Sequence, residues 1–491
     1  MAPLLRKADL SPLAQLITSP AVVQLFRAGA NRTGQASVEG YEQLLHLLTP
    51  WVIGQPPAPM RTTNPPKLMI NCSSLRYAKA LRPGPPVDVP ARIIALVPFG
   101  YDIDLLEIRL AIQYDYVDAF IVYEQPFTNI GLRKPLWFHE SLQRSPARWA
   151  PYADKILHLI DRLEDLAFLA AKAAQSREGG KSDGWGSGWG MEEAMRTRPF
   201  ALLRNSSAPL AKRILDWAQS DDKALILQHD GDEVPTAPTV AHLKWCPLLR
   251  TTVRLPMLSP QDNLEYYETW SNDSGKAVRF GGNAHEFDHM ELPHQAKFEL
   301  AVLNDLRPYA TRLRWVLQQG ALPRKPRLPW RLLPRNLKGS ASDHMGPAAA
   351  IHFSSIFRDP AREWLKRMTN AHSKAPYDGT VLPSDVVGII VRAEPERLPR
   401  AVLGREACQI LWRHPRHVST FSEPTQQLIK EAVPWALAHN PERYPFLWPS
   451  ADEVRCSWRS GAGRGQAEQG CAWTGPAWAM PQGCRKLFGC R

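Results

Sequence analysis

Four short apolar runs, separated by sequence of helical character, constrain the fold more than any other feature of this chain. The runs lie at residues 91–98, 119–123, 155–160 and 224–227. Helix-forming sequence lies between them, at residues 105–112, 162–176, 191–204 and 208–218. Strands that alternate with helices are typical of an α/β protein with a mostly parallel sheet flanked by helices. In such proteins, ligands bind beyond the carboxyl ends of the strands.

Acidic side chains follow three of these runs, namely Asp102, Asp104, Glu124, Asp230, Asp232 and Glu233. Adjacent carboxylates repel each other, and crowding them costs free energy unless a cation or a proton offsets the charge. Hard oxygen ligands suit Mg²⁺ or Mn²⁺, which can in turn hold a diphosphate. The sequence therefore predicts a metal and nucleotide-sugar site at Asp230 and Asp232, with a plain polar turn as the alternative.

The later part of the chain has a different character. Residues 250–258 and 264–270 resemble strands, and residues 426–438 resemble a last helix. Between positions 301 and 340, nine Lys or Arg residues face a single acid, in a chain of net charge +12. We interpret this segment as a solvated, proline-stiffened insertion, with an arm that attracts phosphate or acidic glycan as the alternative. No nucleic-acid-binding motif accompanies it, so no nucleic-acid partner is expected.

Targeting signals are sparse. No run approaches the ~20 apolar residues that a membrane helix needs, so no membrane span is predicted. Residues 1–7 are charged without a following apolar core, so no signal peptide is predicted. Seven cysteines occur, four of them in the last 36 residues, and their spacing fits no paired zinc motif. Four Asn-x-Ser/Thr sequons could be used only in the secretory pathway: Asn31, Asn71, Asn205 and Asn272.

Several blocks in order resemble glycosyltransferase family 17. They are Asp104–Arg109, Val117–Glu124 with Thr128, Gly131, Lys134 and Pro135, the set Trp189, Glu192 and Arg196, the acidic block Asp222 and Asp230–Pro235, then Tyr266–Tyr267, His352–Ser354, Lys366 with His372, and Val433–Tyr444. The resemblance covers about residues 92–447, with insertions near 165–188, 275–345 and 376–430. The ordered succession of these blocks is far more specific than any single one.

The resemblance implies a GT-A-like α/β fold with loop insertions and extensions at both ends. It implies a transferase domain at 91–450, while composition and pattern predict a helical region and proline-rich linker at 1–90 and a Cys/Trp/Gly-rich tail at 451–491. Within that domain it leaves a basic insertion at about 301–340 and a further one at about 376–430. The implied reaction is inverting transfer of N-acetylglucosamine from UDP-N-acetylglucosamine to a mannose of a glycoprotein N-glycan, in the β-1,4 linkage of the bisecting type. The implied location is the Golgi lumen or membrane.

The resemblance also implies roles for individual residues. Asp230 and Asp232 would hold Mn²⁺ or Mg²⁺, and the candidates for catalysis are Asp232, Glu233 and His352. The expected substrate-binding residues are Asp102, Asp104, Glu124, Lys134, Trp189 and Arg196. Arg109 could meet phosphate or form an internal salt bridge with Glu107.

Three other functions remain open from the residues alone. A phosphohydrolase could use Asp230 as nucleophile and Asp232 as acid, although that fold places its Asp-x-Asp motif near the start of the domain. A glycoside hydrolase needs only two carboxylates at a set separation. A non-catalytic glycan-binding relative could keep the fold without turnover.

Overall fold

The computed structural model describes the central part of the chain and shorter pieces beyond it. The described residues are 38–54, 68–129, 131–161, 198–221, 223–249, 252–261, 263–267, 302–303, 309–312, 345, 348–353, 416–417, 421, 423–433, 437 and 443–444. The predicted helices at 162–176 and 191–197 and the predicted tail at 451–491 lie outside them, and the domain boundaries stay predictions.

Helices and strands alternate through the first half of the described chain. In chain order the elements are α1 (Val38–Leu47), α2 (Thr49–Ile53), β1 (Ile93–Phe99), α3 (Ile103–Gln113), β2 (Ala119–Glu124), α4 (Trp137–Arg144), α5 (Pro146–Trp149), β3 (Ile156–Ile160), α6 (Pro209–Ser220), β4 (Leu225–Gln228), β5 (Glu233–Pro235), α7 (Ala237–Trp245), β6 (Thr252–Arg254), β7 (Met257–Leu258), β8 (Pro260–Gln261), β9 (Asn263–Tyr267), β10 (Val302–Leu303), β11 (Tyr309–Arg312), β12 (Ala350–His352), β13 (Arg416–His417) and α8 (Glu423–Ala432). Residues 198–205 are also helical, and short 3₁₀ helices span Leu75–Tyr77 and Ala150–Lys155.

The four predicted apolar runs form the parallel core of one sheet. Its strand order is β3-β2-β1-β4-β11-β6, in which β3, β2, β1 and β4 run parallel and β11 runs antiparallel to β4. Every residue of β1, β2 and β4 is buried, because parallel strands are covered on both faces, and all of these residues are apolar except Glu124 and Gln228 at the strand ends. The predicted α/β sheet is thus confirmed, while the finer assignment to a GT-A-like fold stays a prediction.

Helices cover both faces of this sheet. Alternate side chains of the strands point to opposite faces. Phe120 of β2 therefore packs in the same cluster as Phe138 of α4. Its neighbour Ile121 packs on the other face, in a cluster that contains Ile214 of α6. Within the described residues, no helix combines the length and the apolar character that crossing a membrane requires.

Two short strands lie inside the segment that was interpreted as a basic insertion. β11 adds to the central sheet beside β4, and β10 adds to a second sheet of order β10-β7-β12-β5. Neither strand was predicted, because two to four residues without an apolar run give no periodic signal. Whether the rest of 301–340 forms an insertion stays a prediction, since those residues lie outside the described part.

A covalent bond fastens the segment that precedes β1. Cys72 forms a disulfide with Cys246, which directly follows α7. Backbone hydrogen bonds from Arg82 to Pro247, from Val87 to Trp245 and from Ala91 to Lys244 continue this contact up to β1. The segment is therefore bound along its length to the end of α7.

His242 of α7 lies buried beneath this segment. Its Nδ1 donates to the Pro238 carbonyl at 2.7 Å, and its Nε2 accepts from the Asn71 N–H at 3.3 Å. Its ring lies 4.3 Å from that of Tyr77. Burial lowers the pKa of His242 below its ordinary value of 6.5, the hydrogen bond to Pro238 opposes this shift, and the charge of Arg76 reinforces it. The neutral imidazole is thus the form that can accept the Asn71 N–H while it donates to Pro238.

We expect this histidine to make stability depend on pH. The unfolded chain takes up a proton near pH 6.5 while folded His242 resists it, so the contribution is present above pH 6.5 and lost below it. Urea unfolding between pH 7.5 and 5 should show a steeper loss in the wild type than in His242→Gln, by up to about 1.4 kcal/mol per pH unit. The control His46→Gln, at an exposed position of α1, should keep the wild-type slope. Equal slopes for all three proteins would contradict the assignment.

A buried ion network connects α3 to the last described residues. Glu107 is 1% exposed and accepts hydrogen bonds from Arg148 at 2.9 Å and from Arg443. Arg148 also pairs with Asp104 at 2.6 Å. The described end of the chain is therefore held against α3 by charge as well as by apolar packing.

Removing the central carboxylate should be costly. Glu107→Gln removes the buried carboxylate that two arginines share and leaves Arg148 with the partly exposed Asp104 alone, so the free energy of unfolding should fall by about 3 kcal/mol or more. The matched control is Glu140→Gln, which breaks the exposed pair with Arg144 (2.9 Å) and should cost at most about 0.5 kcal/mol. Urea titration measures both, and a Glu107→Gln effect as small as the control's would show that the network contributes little.

Candidate functional site

The acidic residues that follow β4 form a tight turn at the carboxyl end of the central sheet. The turn is closed by a backbone hydrogen bond from the Glu233 N–H to the Asp230 carbonyl at 3.2 Å. A Cβ added to Gly231 would lie only 3.2 Å from the Pro98 carbonyl oxygen of β1. Glycine therefore lets the turn approach the neighbouring strand. The predicted Asp-Gly-Asp motif thus lies across the ends of β1 and β4.

A single buried arginine holds this turn in place. The Arg109 guanidinium of α3 donates to the carbonyls of Asp230 and Gly231, both at 2.9 Å, and of Glu233 at 2.7 Å. Burial lowers the pKa of Arg109 to about 10, and the nearby carboxylates of Glu233, Asp232 and Asp230 oppose that shift. The group remains charged at neutral pH, so a fixed positive charge lies beneath the acidic turn.

Two further polar side chains, those of His229 and Gln113, take part in the contact between α3 and this segment. The second Nη of Arg109 lies 2.9 Å from Nδ1 of His229. Burial and the Arg109 charge lower the pKa of His229 well below its ordinary value, so the ring is neutral and its Nδ1 accepts. Gln113, one helical turn after Arg109, donates to the Pro235 carbonyl at 2.8 Å. The face of α3 that contains both residues therefore binds the backbone from the turn to β5.

This role of Arg109 was not predicted. The proposed salt bridge to Glu107 is wrong, because Glu107 pairs with Arg148 and Arg443 instead. Residues two apart on a helix point in different directions, which excludes the pair on geometry. The i, i+4 spacing of Arg109 and Gln113 is the signal in the sequence that could have indicated a shared polar partner.

Glu233 stabilises the turn from inside. Its carboxylate accepts the Asp230 N–H at 2.8 Å, and the residue is only 2% exposed. A buried carboxylate that caps its own turn is poorly placed to take a proton from an acceptor substrate. The geometry therefore supports a positioning role for Glu233, and its predicted catalytic role stays a prediction.

Asp232 and His352 lie together at the open side of the turn. β12 runs antiparallel to β5 with His352 opposite Glu233, and the Phe353 N–H donates to the Asp232 carbonyl at 2.8 Å. The imidazole Nε2 lies 3.7 Å from Asp232 Oδ2, with 23% and 24% of the two side chains exposed. Two residues predicted as functional, 120 positions apart in sequence, are thus brought together where solvent reaches them.

A divalent cation is compatible with this part of the turn, although the described side chains alone do not enclose one. In the part of the chain described, no group of three or more His, Cys, Asp or Glu side chains could hold a metal ion. Mg²⁺ typically binds through one or two carboxylates and completes its shell with substrate phosphates and water. The half-buried side chains of Asp230 and Asp232, with His352 adjacent, fit such a partial set.

The acidic residues after β1 have clear structural contacts. Asp102 caps α3 by accepting the Leu105 N–H at 3.0 Å, and Asp104 pairs with Arg148. N-terminal caps of this kind are worth about 1 kcal/mol. Both side chains therefore contribute to the fold, and their predicted contacts with the nucleotide stay predictions.

Glu124 lies fully buried at the end of β2. Its two carboxylate oxygens accept the N–H groups of Phe138 and His139 at 2.9 and 3.0 Å, at the amino end of α4, where a negative charge is favourable. Lys134 Nζ lies 3.7 Å away, and burial lowers the pKa of Lys134 while Glu124 opposes the shift. These two predicted substrate-binding residues meet each other and join β2 to α4.

The remaining predicted positions give less information. Trp189 and Arg196, expected to bind substrate, lie outside the described residues, as do Asp222, Lys366 and His372. Tyr266 and Tyr267 belong to β9, which pairs with β13.

Comparison with known proteins supports the resemblance found in the sequence. Over 160 residues the chain is 28% identical to proteins named beta-1,4-mannosyl-glycoprotein 4-beta-N-acetylglucosaminyltransferase from rat (Rattus norvegicus), human (Homo sapiens) and mouse (Mus musculus). The matched segment covers 32% of this chain and spans about a quarter (24% or 25%) of the length of these relatives. No family model and no solved structure matches the chain. The predicted resemblance is thus confirmed as sequence similarity over a third of the chain.

Arg109→Lys should loosen the acidic turn. A lysine ammonium cannot reach all the acceptors that the guanidinium fork serves, so the free energy of unfolding should fall by roughly 2–4 kcal/mol. Amide exchange at Asp230 and Glu233 should accelerate together, since both N–H groups are bonded within the turn. The control Arg92→Lys alters a 49% exposed arginine paired with Asp118, and should change neither quantity appreciably. Unchanged exchange in Arg109→Lys would show that the turn holds its shape without the fork.

Proposed function

We propose that this protein is a metal-dependent, inverting glycosyltransferase that moves N-acetylglucosamine from UDP-N-acetylglucosamine to a mannose of a glycoprotein N-glycan, in β-1,4 linkage. The proposal is based on one observation: Asp232, on the turn at the carboxyl end of the central sheet, lies beside His352 of β12. Ligands of α/β sheets bind at that edge. The names of the three relatives supply the choice of sugar and acceptor.

The proposed cofactor is Mn²⁺ or Mg²⁺, held by Asp230 and Asp232 with His352 beside them. When bound, such an ion neutralises the diphosphate that departs from the sugar. Arg109 restrains the backbone of the turn, and Glu233 fixes the Asp230 N–H, so the half-buried carboxylates of Asp230 and Asp232 are attached to an ordered backbone. This preorganisation favours the charged leaving group without a rearrangement of the protein.

His352 is the proposed second contact of the diphosphate or of the cation. Its partial exposure and its distance of 3.7 Å from Asp232 suit either part, and a protonated imidazole would add a positive charge at the same place. The acceptor hydroxyl must lose its proton to a base on the opposite side of the sugar. Glu233 is a weak candidate for that base because it is buried beneath the turn.

The proposed location is the lumen of the Golgi apparatus. The disulfide between Cys72 and Cys246 supports it, because disulfides persist in oxidising compartments and are rare in the cytosol. The location would also bring the protein to its proposed substrate, since N-glycans are carried by proteins of the secretory pathway.

The decisive assay is UDP release from UDP-N-acetylglucosamine, with a mannose-terminated N-glycan and with or without Mn²⁺. Asp232→Asn should lower kcat/KM at least about 100-fold, equivalent to ~2.7 kcal/mol of transition-state stabilisation, and should abolish the response to metal. The control is Asp88→Asn, at an exposed position near the start of β1, which should retain full activity. Folded wild type that neither binds nor turns over a UDP-sugar would contradict the transferase. Release of inorganic phosphate from phosphate esters would favour the phosphohydrolase.

A further inference from the structure

One exposed asparagine in the described residues is arranged as an acceptor for a glycan. Asn71 is exposed and begins the sequon Asn71-Cys72-Ser73. Its side-chain Oδ1 accepts the Ser73 N–H at 3.0 Å, which forms a compact turn. In the described part of the chain its Nδ2 makes no hydrogen bond. Because the residue is exposed and this nitrogen is not engaged within the described residues, the folded protein can accommodate a sugar there.

The other two residues of this sequon are fixed by the fold. Cys72 is 1% exposed and covalently joined to Cys246. The Ser73 hydroxyl accepts the Gly84 N–H at 3.0 Å, and the Asn71 N–H donates to His242. An enzyme that must grip the asparagine and the serine hydroxyl together meets a segment pinned at three points. The folded, oxidised protein is consequently a poor substrate for glycosylation at Asn71, although it can accommodate a glycan that was attached earlier.

We propose that Asn71 receives an N-linked glycan during synthesis, before the Cys72–Cys246 disulfide closes. The inference rests on the luminal location proposed above. The Asn71 amide nitrogen forms a bond to the anomeric carbon of a lipid-linked oligosaccharide diphosphate. The bond from that carbon to the diphosphate oxygen breaks, the lipid diphosphate leaves, and the amide loses one proton. No oxidant is consumed in this step, which makes it chemically independent of the disulfide.

The long separation of the two cysteines in sequence allows glycosylation to occur before the disulfide forms. Cys246 follows Cys72 by 174 residues. At a synthesis rate of about 5–20 residues per second, Cys246 is made roughly 9–35 s after Cys72. During that interval Cys72 has no native partner, and neither His242 nor the fold around it exists. The sequon is then an unstructured peptide, open to the transferring enzyme.

The first experiment places the full chain, behind a cleavable secretory leader, in a microsomal translation system. Delivery by the leader separates this test from the question of natural location. Peptide mass spectrometry should show glycan on Asn71 in most protease-protected chains. Asn71→Gln and Ser73→Ala should each remove it while the Cys72–Cys246 disulfide still forms. An unmodified Asn71 in protected wild-type chains would overturn the proposal, whatever the state of the exposed sequon at Asn205.

The second experiment tests the order of the two modifications. Unglycosylated chain, folded and oxidised beforehand, is incubated with solubilised oligosaccharyltransferase and lipid-linked oligosaccharide. Asn71 should stay unmodified in the oxidised wild type, and its occupancy should rise several-fold in Cys246→Ser. The same wild-type chain after reduction should behave like Cys246→Ser, which covers the case of a variant that folds badly. Equal modification of the oxidised and reduced chains would overturn the order, irrespective of transferase activity.

Discussion

The arrangement of the acidic turn depends on the Arg109 guanidinium. Asp230, Asp232 and Glu233 place three carboxylates within four positions, and several carbonyls of the same segment converge on one point. Such a concentration of negative charge and dipoles opposes folding unless a cation lies among them. A lysine would supply the charge but not the planar fork, in which one Nη donates to the carbonyls of the turn and the other donates to His229. The arginine thus determines the shape of the turn, and the turn determines where Asp232 lies.

Burial divides the carboxylates of this region into two groups. Glu107, Glu124 and Glu233 are each at most 2% exposed, and protein donors satisfy them. Asp230 and Asp232 are only half-buried and lie on the solvent side of the turn. Only the second group would be available to the proposed cation, because arginine, lysine or backbone N–H groups already bind the first. The same acidic sequence pattern therefore contains both the framework and the candidate binding groups.

Local patterns predicted much of the fold, and they failed where a contact is distant in sequence. The strands β1, β2 and β4 are apolar runs of strand length, apart from Glu124 and Gln228 at two of their ends, and that length together with the helical sequence between them predicts their type. Glu124 looked like a ligand because it ends a strand, yet it caps a helix that begins 13 residues later. That cap depends on how the chain turns between β2 and α4, which no periodicity encodes. The strand-end rule therefore predicts a candidate site without distinguishing ligands from caps.

The pairing of Asp232 with His352 shows what sequence resemblance adds to physical patterns. Nothing local marks His352, a histidine between two apolar residues, as a partner of a turn 120 positions earlier. It was predicted because an ordered set of blocks resembled a known family, and the antiparallel register of β12 and β5 supplies the physical reason. β12 also pairs parallel with β7 through Ala350 and Ile351, so the strand that contains His352 has a hydrogen-bonded neighbour on each side. The proposed contact of His352 with a diphosphate would therefore start from a backbone that the fold has already ordered.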